Sequence, residues 1–231
     1  GTMPMPIDKP MDVLPADQSG FVLLQGDINE NGQLYNVKVL QSLPSNHFEK
    51  VAIEHALAQS YTPLIDNNEL LVNENVLLKV EFRAKSEQKH RAYTKLLKTY
   101  QDSLLSKAQN EDIEAQIQLA QLMSTGVVKA NHNALNSVPV YWYLKAAING
   151  NAEAKYQLSK HLQLGVGCLS NQDKAQYWLE QSASQGYPIA QFELTRQGLL
   201  NNPSKRKLRK LINTLEQLVS NGNKNAHQTL A

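Results

Sequence analysis

A spacing of 36 residues recurs through the second half of the chain and constrains its fold more than any other feature. Glycine, alanine and tryptophan each return at this interval: Gly150, Gly186 and Gly222; Ala154, Ala190 and Ala226; Trp142 and Trp178. One step upstream, between Ala115 and Ala154, the interval is 39, because three extra residues lie in the loop before Trp142. A period of this size is typical of two-helix repeats, which bury their apolar faces only by stacking. We therefore predict an all-α helical-repeat solenoid, an α/α superhelix.

Each repeat is predicted to contain two helices. Ala154, Leu158 and Leu162 lie at i, i+4 and i+8 and form one apolar helix face. The glycines around Val166 then end that helix, and Asp173 is the predicted N-cap of the next. The spacing places repeat units near 115, 154 and 190, with a partial unit at 89–111.

The repeated positions resemble a Sel-one-like repeat, a relative of the tetratricopeptide repeat (TPR). In the central unit the resemblance is carried by Leu158, Gly165, Gly167, Lys174, Ala175, Trp178, Ala183, Gly186 and Ala190. In the unit before it, the carriers are Leu119, Met123, Gly126, Trp142, Lys145, Ala146, Ala147 and Gly150. The last unit has Thr214 at the tryptophan position, which is typical of a terminal cap. The resemblance implies a scaffold that binds other proteins.

The first half of the chain alternates between apolar and polar residues and predicts a small α+β domain. Strands are predicted at 21–28 and 33–41, joined by a hairpin at Asn31-Gly32. A helix is predicted to start at 44–46, where Asn46 and Glu49 form a variant of the capping box. Its buried stripe is Phe48, Val51, Ala52, His55 and Ala56. A final strand at 76–82 gives the order β-β-α-β, with the helix on one face of the sheet.

This order and these residues resemble the C-terminal domain of the TonB family of energy transducers. The carriers are Gly20, Phe21, Val22, Ile28, Gly32, Val37, Val39, Ser42, Phe48, Ala52, Ala56, Tyr61, Thr62, Pro63 and the strand 76–82. The resemblance implies a periplasmic protein of a Gram-negative cell envelope. It also implies an anchor or export segment ahead of the domain.

The two halves differ in charge, which supports two modules. Residues 1–85 carry 11 acidic and 6 basic side chains, a net charge of −5, and residues 86–231 carry 10 acidic and 17 basic, a net charge of +7. We predict a TonB-like domain at 15–85 and the repeats at 86–231. Residues 1–14 are predicted to be a flexible tail, in which Gly1-Thr2 is an expression remnant, so the native N-terminal segment is expected to be missing from this sequence.

The final strand is the first candidate binding surface. If it lies at the edge of the sheet, a partner peptide can add to it by β-augmentation, and the strand residues involved are Val76, Leu78, Val80 and Phe82. The alternatives are that the strand is covered or that it pairs edge to edge in a homodimer. The sequence leaves these three open and does not fix the oligomeric state.

A second candidate surface lies in the repeats. A dense basic run comprises Lys205, Arg206, Lys207, Arg209 and Lys210. Such runs are usually solvated helix faces, but basic groups near a helix N-terminus oppose the helix dipole, which keeps a binding role open. Tyr141 and Tyr156 are predicted to line a groove, whereas Trp142 and Trp178 are predicted to be core.

The sequence gives little support for a catalytic or metal-binding function. The single cysteine, Cys168, lies near His161 but without a third group, and the histidines show no metal-ligand spacing. We therefore expect no cofactor, no metal and no catalytic residue. The leading hypothesis is a non-enzymatic envelope adaptor with protein partners and no nucleic acid. The alternatives are an enzyme or enzyme subunit with a site in the groove between the domains, and a basic scaffold that binds nucleic acid or anionic lipid.

Overall fold

The computed structural model describes residues 13–231, which form two compact units. The first, residues 13–142, combines the sheet with the long helices that follow it, and the second, residues 143–231, is helical. Most of the predicted tail, residues 1–12, lies outside the described residues. Leu14 begins a short strand, so the prediction of a flexible tail is wrong at its last residue.

The sheet of the first unit has four strands, and a separate hairpin has two. The elements are β1 (Leu14–Ala16), β2 (Gly20–Ile28), β3 (Leu34–Leu43), α1 (Glu49–Leu57), β4 (Leu64–Asp66), β5 (Glu69–Leu71) and β6 (Asn73–Ala84). The sheet order is β1-β6-β2-β3, with β1 parallel to β6 and the other pairs antiparallel. The predicted β-β-α-β order is confirmed by β2, β3, α1 and β6. The sequence does not predict β1, β4 and β5, because three-residue strands are too short to show alternation.

The β2–β3 turn confirms the predicted hairpin and is tied to the chain that follows α1. The side-chain oxygen of Asn29 accepts hydrogen bonds from the backbone N–H groups of Asn31 and Gln33, at 3.0 and 2.9 Å. Gly32 has a φ of 77°, and its carbonyl oxygen accepts a hydrogen bond from the N–H of Tyr61 at 2.9 Å. A Cβ atom at Gly32 would overlap the carbonyl oxygen of Tyr61. Glycine is therefore required here by both conformation and space.

Helix α1 packs on one face of the sheet and encloses the main core. The rings of Phe48 and Phe82 stack there, with centroids 4.0 Å apart. The buried members of the core are Val22, Leu24, Ile28, Leu34, Phe48, Ala52, Ala56, Tyr61, Val76, Leu78, Val80 and Phe82. The prediction of Val51 as a member is wrong, since its side chain is 51% exposed, and Ile53 packs against the core instead.

The start of α1 confirms half of the predicted capping box. The Glu49 carboxylate accepts hydrogen bonds from the N–H of Asn46 at 3.0 Å and from the Ser42 hydroxyl at 2.5 Å. The hydrogen bond from Ser42 lowers the pKa of Glu49 below its ordinary value. The other half of the box is wrong, because the N-cap position is Phe48 and no side chain caps there.

The opposite face of the sheet is covered by α2 (Glu87–Gln109) and α3 (Ile113–Ser124). Phe21 and Leu23 alternate with the core residues of β2, so they face these helices, and both are 0% exposed. The ring of Phe21 lies 6.2 Å from that of Tyr100 in α2. Gln41 of β3 accepts a hydrogen bond from the Tyr100 hydroxyl at 2.9 Å and donates to Gln121 Oε1 of α3 at 3.2 Å. The sheet is therefore a middle layer between α1 and the first repeat helices.

This packing bears on the predicted domain boundary. Strands give way to helices between Ala84 and Glu87, where the sequence pattern changes. The boundary between the two compact units nevertheless falls later in the sequence, between Trp142 and Tyr143, because α2 and α3 pack with the sheet. A boundary at 85/86 stays a prediction about sequence modules.

The helices from residue 139 onward are separated by short turns. They are α4 (Pro139–Ile148), α5 (Ala152–Leu164), α6 (Gln172–Ser184), α7 (Pro188–Leu200), α8 (Lys205–Ser220) and α9 (Lys224–Leu230). The hydroxyls of Ser159 and Ser182 donate to the carbonyl oxygens of Ala175 and Ala152, at 2.8 and 2.7 Å. The second bond joins the end of α6 to the start of α5, and the first joins the start of α6 to a later turn of α5, so the helices form an antiparallel hairpin.

A recurring turn explains the 36-residue period. Gly150, Gly186 and Gly222 end their helices with φ values of 93°, 88° and 85°, in the left-handed region that favours glycine. An N-cap follows: the side-chain oxygens of Asn151 and Asn223 accept hydrogen bonds from the N–H groups of Ala154 and Ala226, each at 2.8 Å. The repeated glycine and alanine are therefore the helix stop and the third residue of the next helix.

The turn between α2 and α3 in the first unit follows the same plan with one substitution. Glu111, 39 residues before Gly150, takes the glycine position with a φ of 64°. Asp112 then acts as the N-cap, and its side chain accepts a hydrogen bond from the N–H of Ala115 at 3.0 Å. At α6 the prediction of Asp173 as N-cap is wrong by two residues, because Asn171 accepts the capping bond from Lys174.

Replacing Gly32 tests the tie between the β2–β3 turn and Tyr61. We expect Gly32→Ala to lower the free energy of unfolding by about 2–4 kcal/mol, because it adds a steric overlap to an unfavourable φ. Gly126→Ala is the matched control in the same unit, with a φ of 78° and only the end of Lys79 within contact. It should cost about 1–2 kcal/mol. Equal losses in urea denaturation would contradict the overlap.

Two substitutions at Glu111 test the left-handed conformation of this turn. Glu111→Gly removes the cost of a left-handed non-glycine residue, whereas Glu111→Ala removes the same side chain and keeps that cost. We expect the glycine variant to be more stable than the alanine variant by about 1 kcal/mol. Urea denaturation followed by circular dichroism measures the difference, and a more stable alanine variant would show that the turn is not left-handed.

Candidate interaction surfaces

Strand β6 does not present the side chains that the sequence selects for partner binding. Val76, Leu78, Val80 and Phe82 all point into the core beneath α1 and are at most 7% exposed. The strand also lies between β1 and β2 in the sheet order. Of the alternatives that the sequence leaves open, β6 is therefore covered by β1 at Phe82–Ala84 and lies at the sheet edge before them. The outer backbone groups of β6 are open to a partner only where β1 does not pair.

The outer strand β3 differs in regularity from β6, which forms the opposite edge of the sheet where β1 does not cover it. β3 carries two register shifts against β2, opposite Leu23/Leu24 and Gln25/Asp27. Such bulges bend a strand and interrupt the regular row of N–H and C=O groups that another strand needs. β6, in contrast, pairs with β2 in unbroken register from Val76 to Phe82. β3 is therefore the protected edge, and β6 is the edge suited to strand addition.

The open part of the β6 edge is defined by how little β1 covers. β1 pairs only with Phe82, Arg83 and Ala84. From Val76 to Glu81, no strand of the described residues pairs on the outer side of β6, and the register against β2 is unbroken. We call these six residues the open β6 edge. A regular strand edge can bind an extended peptide through its backbone groups.

Tyr141 lies beside a buried tryptophan in the first unit. Its ring stands edge-on to that of Trp142, with centroids 4.9 Å apart, and its side chain is half-buried. Trp142 is 2% exposed and its indole N–H donates to the Asn136 carbonyl at 2.8 Å, which confirms its prediction as core. A groove-lining role for Tyr141 stays a prediction.

Tyr156 in the second unit has an intramolecular role. Its hydroxyl donates to Glu193 Oε2 at 3.1 Å, and its ring lies 5.5 Å from that of Tyr187. Lys160, one turn further along α5, forms an ion pair with the same Glu193. The phenol that the sequence assigns to a groove is therefore held in the contact between α5 and α7.

The basic run forms the first two turns of α8, and all five basic residues are exposed. The side chain of Ser204 caps the helix by accepting a hydrogen bond from Lys207 N–H at 3.3 Å. No acidic residue lies in the first turn, and within residues 13–231 none of the five basic side chains forms an ion pair. The positive charge is therefore not neutralised within the described protein. It also opposes the positive end of the helix dipole.

His161 and Cys168 do not form a thiol–imidazole pair. Cys168 Sγ donates to the backbone carbonyl of His161 at 3.6 Å, and His161 Nδ1 lies 3.1 Å from the carbonyl oxygen of Val166. Burial lowers the pKa of His161 and raises the pKa of Cys168, so both neutral forms are favoured. Among the described residues, no three His, Cys, Asp or Glu side chains gather as a metal site.

One surface feature is absent from the sequence predictions. The end of α5 and the α5–α6 loop expose Leu164, Val166 and Leu169, at 51%, 47% and 91%. Large apolar side chains inside a glycine-rich loop, off the buried helix stripe, are the sequence signal that would have pointed to them. Isolated exposed leucines are common, but three within six residues form a patch.

The family comparisons confirm both resemblances. Residues 10–84 match the model of the Gram-negative bacterial TonB protein C-terminal. Residues 113–151 and 152–187 each match the Sel1 repeat. A comparison with curated proteins finds no match. None of the described helices has the length and apolar composition needed to cross a membrane.

Solved structures similar to this chain include Sel1 repeat proteins. A Sel1 repeat protein from Oxalobacter formigenes is 23% identical, with a TM-score of 0.47, over 55% of this chain and 94% of that one. A protective antigen of uropathogenic Escherichia coli strains, displaying an SLR fold, is 25% identical, with a TM-score of 0.45. The match covers 55% of this chain and 26% of the antigen.

The contact between α5 and α7 can be tested at its ion pair. The side chains of Lys160 and Glu193 are only 15% and 25% exposed, so we expect Lys160→Met to lower the free energy of unfolding by about 1–2 kcal/mol. Lys98→Met is the matched control, because the pair Lys98–Asp102 is 76% and 58% exposed. It should cost less than about 0.5 kcal/mol. A Lys160→Met variant as stable as the control would show that the pair does not stabilise the unit.

Proposed function

We propose that this chain is a non-enzymatic adaptor in the periplasm of a Gram-negative cell envelope. Its sheet binds one protein partner, and its helical repeats bind another. The TonB-type match supports the envelope setting, and the Sel1 matches support a scaffold.

The open β6 edge carries this proposal. A partner segment that pairs with residues 76–81 would satisfy backbone N–H and C=O groups that otherwise bond to water. The second face of the sheet is covered by α2 and α3, and the first by α1, so the edge is the part of the sheet left for binding. The bulges of β3 direct a partner to β6 and disfavour pairing at the other side.

The described residues also favour binding over catalysis. His161 and Cys168, the one thiol–imidazole candidate in the sequence, both bond to backbone carbonyls, and both favour their neutral forms. A neutral thiol is a poor nucleophile. The repeat helices, in contrast, offer the extended surface that stacked helix pairs use for protein binding.

Site-specific photo-crosslinking tests the role of the β6 edge. A photoreactive amino acid replaces Leu77, which lies within the open β6 edge, and the matched control carries it at Lys38 on the bulged strand β3. We expect crosslinks to envelope proteins from the Leu77 position in living cells, and fewer from Lys38. The reason is that a pairing strand brings its side chains beside Leu77. Mass spectrometry identifies the products, and cell fractionation locates the chain.

Two outcomes would contradict the proposal. Equal crosslinking from both positions would remove the preference for β6. Crosslinks only to cytosolic proteins, with the native chain in the cytosolic fraction, would exclude the envelope adaptor.

A further inference from the structure

The hairpin tips of the second unit lie along one edge. Tyr156 and Lys160 of α5 contact Tyr187 and Glu193 of α7 in the same order along both helices, so α5 and α7 run parallel. Their C-terminal ends, Leu164 and Leu200, are therefore at the same side of the unit. We call residues 164–170 and 200–210 the tip edge.

Helix α8 begins at this edge and runs back from it. Only four residues separate Leu200 from Lys205, so the start of α8 lies beside the end of α7. A Cβ atom at Gly198, near the end of α7, would lie 3.0 Å from the side chain of Leu211, in the second turn of α8. This close approach shows that α7 and α8 form an antiparallel hairpin whose tip carries the basic run.

The tip edge is apolar as well as basic. The exposed apolar side chains are Leu164, Val166, Leu169, Leu200 and Leu208, between 37% and 91% exposed. Leu208 lies inside the basic run in sequence. At 100° per residue, the five basic side chains spread over about 200° of the circumference of α8, and Leu208 lies in the remaining arc with the buried residues Leu215 and Leu218. Asp173, the acidic residue in the first turn of α6, is followed by the basic residue Lys174, so the two charges offset each other.

The opposite edge of the unit has a different composition. Its turns consist mainly of Asn, Gly, Ser and Gln, as in Asn149–Asn151 and Ser220–Asn223. Ile148 is the exposed large apolar residue that the described structure places there. Both edges perform the same structural task of joining helices, so turn formation alone does not explain the leucines and cations of the tip edge.

We propose that the tip edge binds the surface of an anionic phospholipid bilayer. The basic side chains lie where they can pair with lipid phosphates, and the exposed leucines can enter the boundary between headgroups and acyl chains. Binding would remove apolar surface from water and neutralise charge that opposes the α8 dipole. This surface belongs to the helical unit and is independent of strand addition at β6.

The chemistry of the edge favours a bilayer over nucleic acid. Sites for single-stranded nucleic acid combine cations with aromatic platforms for base stacking, and α8 contains no aromatic residue. Duplex DNA presents phosphates but no apolar phase for Leu164, Leu169 and Leu200 to enter. A bilayer supplies both, which accounts for the apolar and basic parts together.

Vesicle co-sedimentation tests the proposal with the full chain. The probes are phosphatidylcholine vesicles with and without one third phosphatidylglycerol. We expect binding only to the anionic vesicles, and weaker binding as salt rises from about 0.05 to 0.5 M. The triple variant Lys205→Gln/Lys207→Gln/Lys210→Gln should bind roughly tenfold to a hundredfold more weakly. Its matched control, Lys85→Gln/Arg91→Gln/Lys95→Gln, removes the same charge from exposed positions of the other unit and should bind like the parent.

The apolar part has its own variant. Leu169→Ser/Leu200→Ser changes two exposed side chains, and it should lose the binding that remains at high salt while keeping most of the binding at low salt. Circular dichroism checks that each variant is folded. The proposal is overturned if the parent does not bind anionic vesicles, if the control loses as much affinity as the α8 variant, or if a short DNA duplex is bound and vesicles are not. Leu169→Ser/Leu200→Ser binding like the parent at high salt would overturn the apolar contact.

Discussion

Burial of strand β2 on both faces is the constraint on which the first unit depends. Alternate residues of β2 enter the core beneath α1, and the residues between them, Phe21 and Leu23, pack beneath α2 and α3. Each such buried side chain contributes about 1.5–3 kcal/mol relative to exposure. Without the helices, one face of the sheet would lie in water. The sheet and the first repeat helices therefore form a single packed unit, although they match two different families.

The polar contacts at this interface give it a fixed register. Gln41 is 5% exposed and bonds to both Tyr100 and Gln121, so its amide is satisfied on both sides. Burial also raises the pKa of Tyr100, which keeps its hydroxyl protonated as the donor. A buried amide without these partners would cost about 1–3 kcal/mol. Sliding α2 or α3 along the sheet is disfavoured for that reason.

The surfaces proposed for binding are those that fold stability does not explain. A regular strand edge without a partner and a cluster of cations at a helix N-terminus are both unfavourable for an isolated protein. The same holds for Leu169, which is 91% exposed. Comparable positions in the same chain lack these features. The edge of β3 is interrupted by bulges, and the turns opposite the tip edge are polar. This difference between comparable positions is the reason for assigning the β6 edge and the tip edge to binding.

The sequence predicted the repeats well because their turns are local. A glycine with positive φ, a capping side chain and the alanine three residues later all lie within a few positions, so they recur as a visible pattern. The alternation of apolar and polar residues in β6 likewise predicts which of its faces is buried. The 36-residue pattern of glycines did not identify Glu111 as an equivalent position. The backbone there has the same positive φ, but the residue is not glycine.

By itself, the sequence determined the helical array, the β-β-α-β order and the place where strands give way to helices. Only the tertiary structure decided that β6 lies inside the sheet at its end and is open along its middle, because strand order depends on contacts between distant segments. It also decided that α2 and α3 cover the sheet, and that the Tyr156 hydroxyl bonds to Glu193. Local hydrogen bonds and periodicity depend on residues that are close in the sequence. Which element packs against an exposed face depends on contacts between distant parts of the chain.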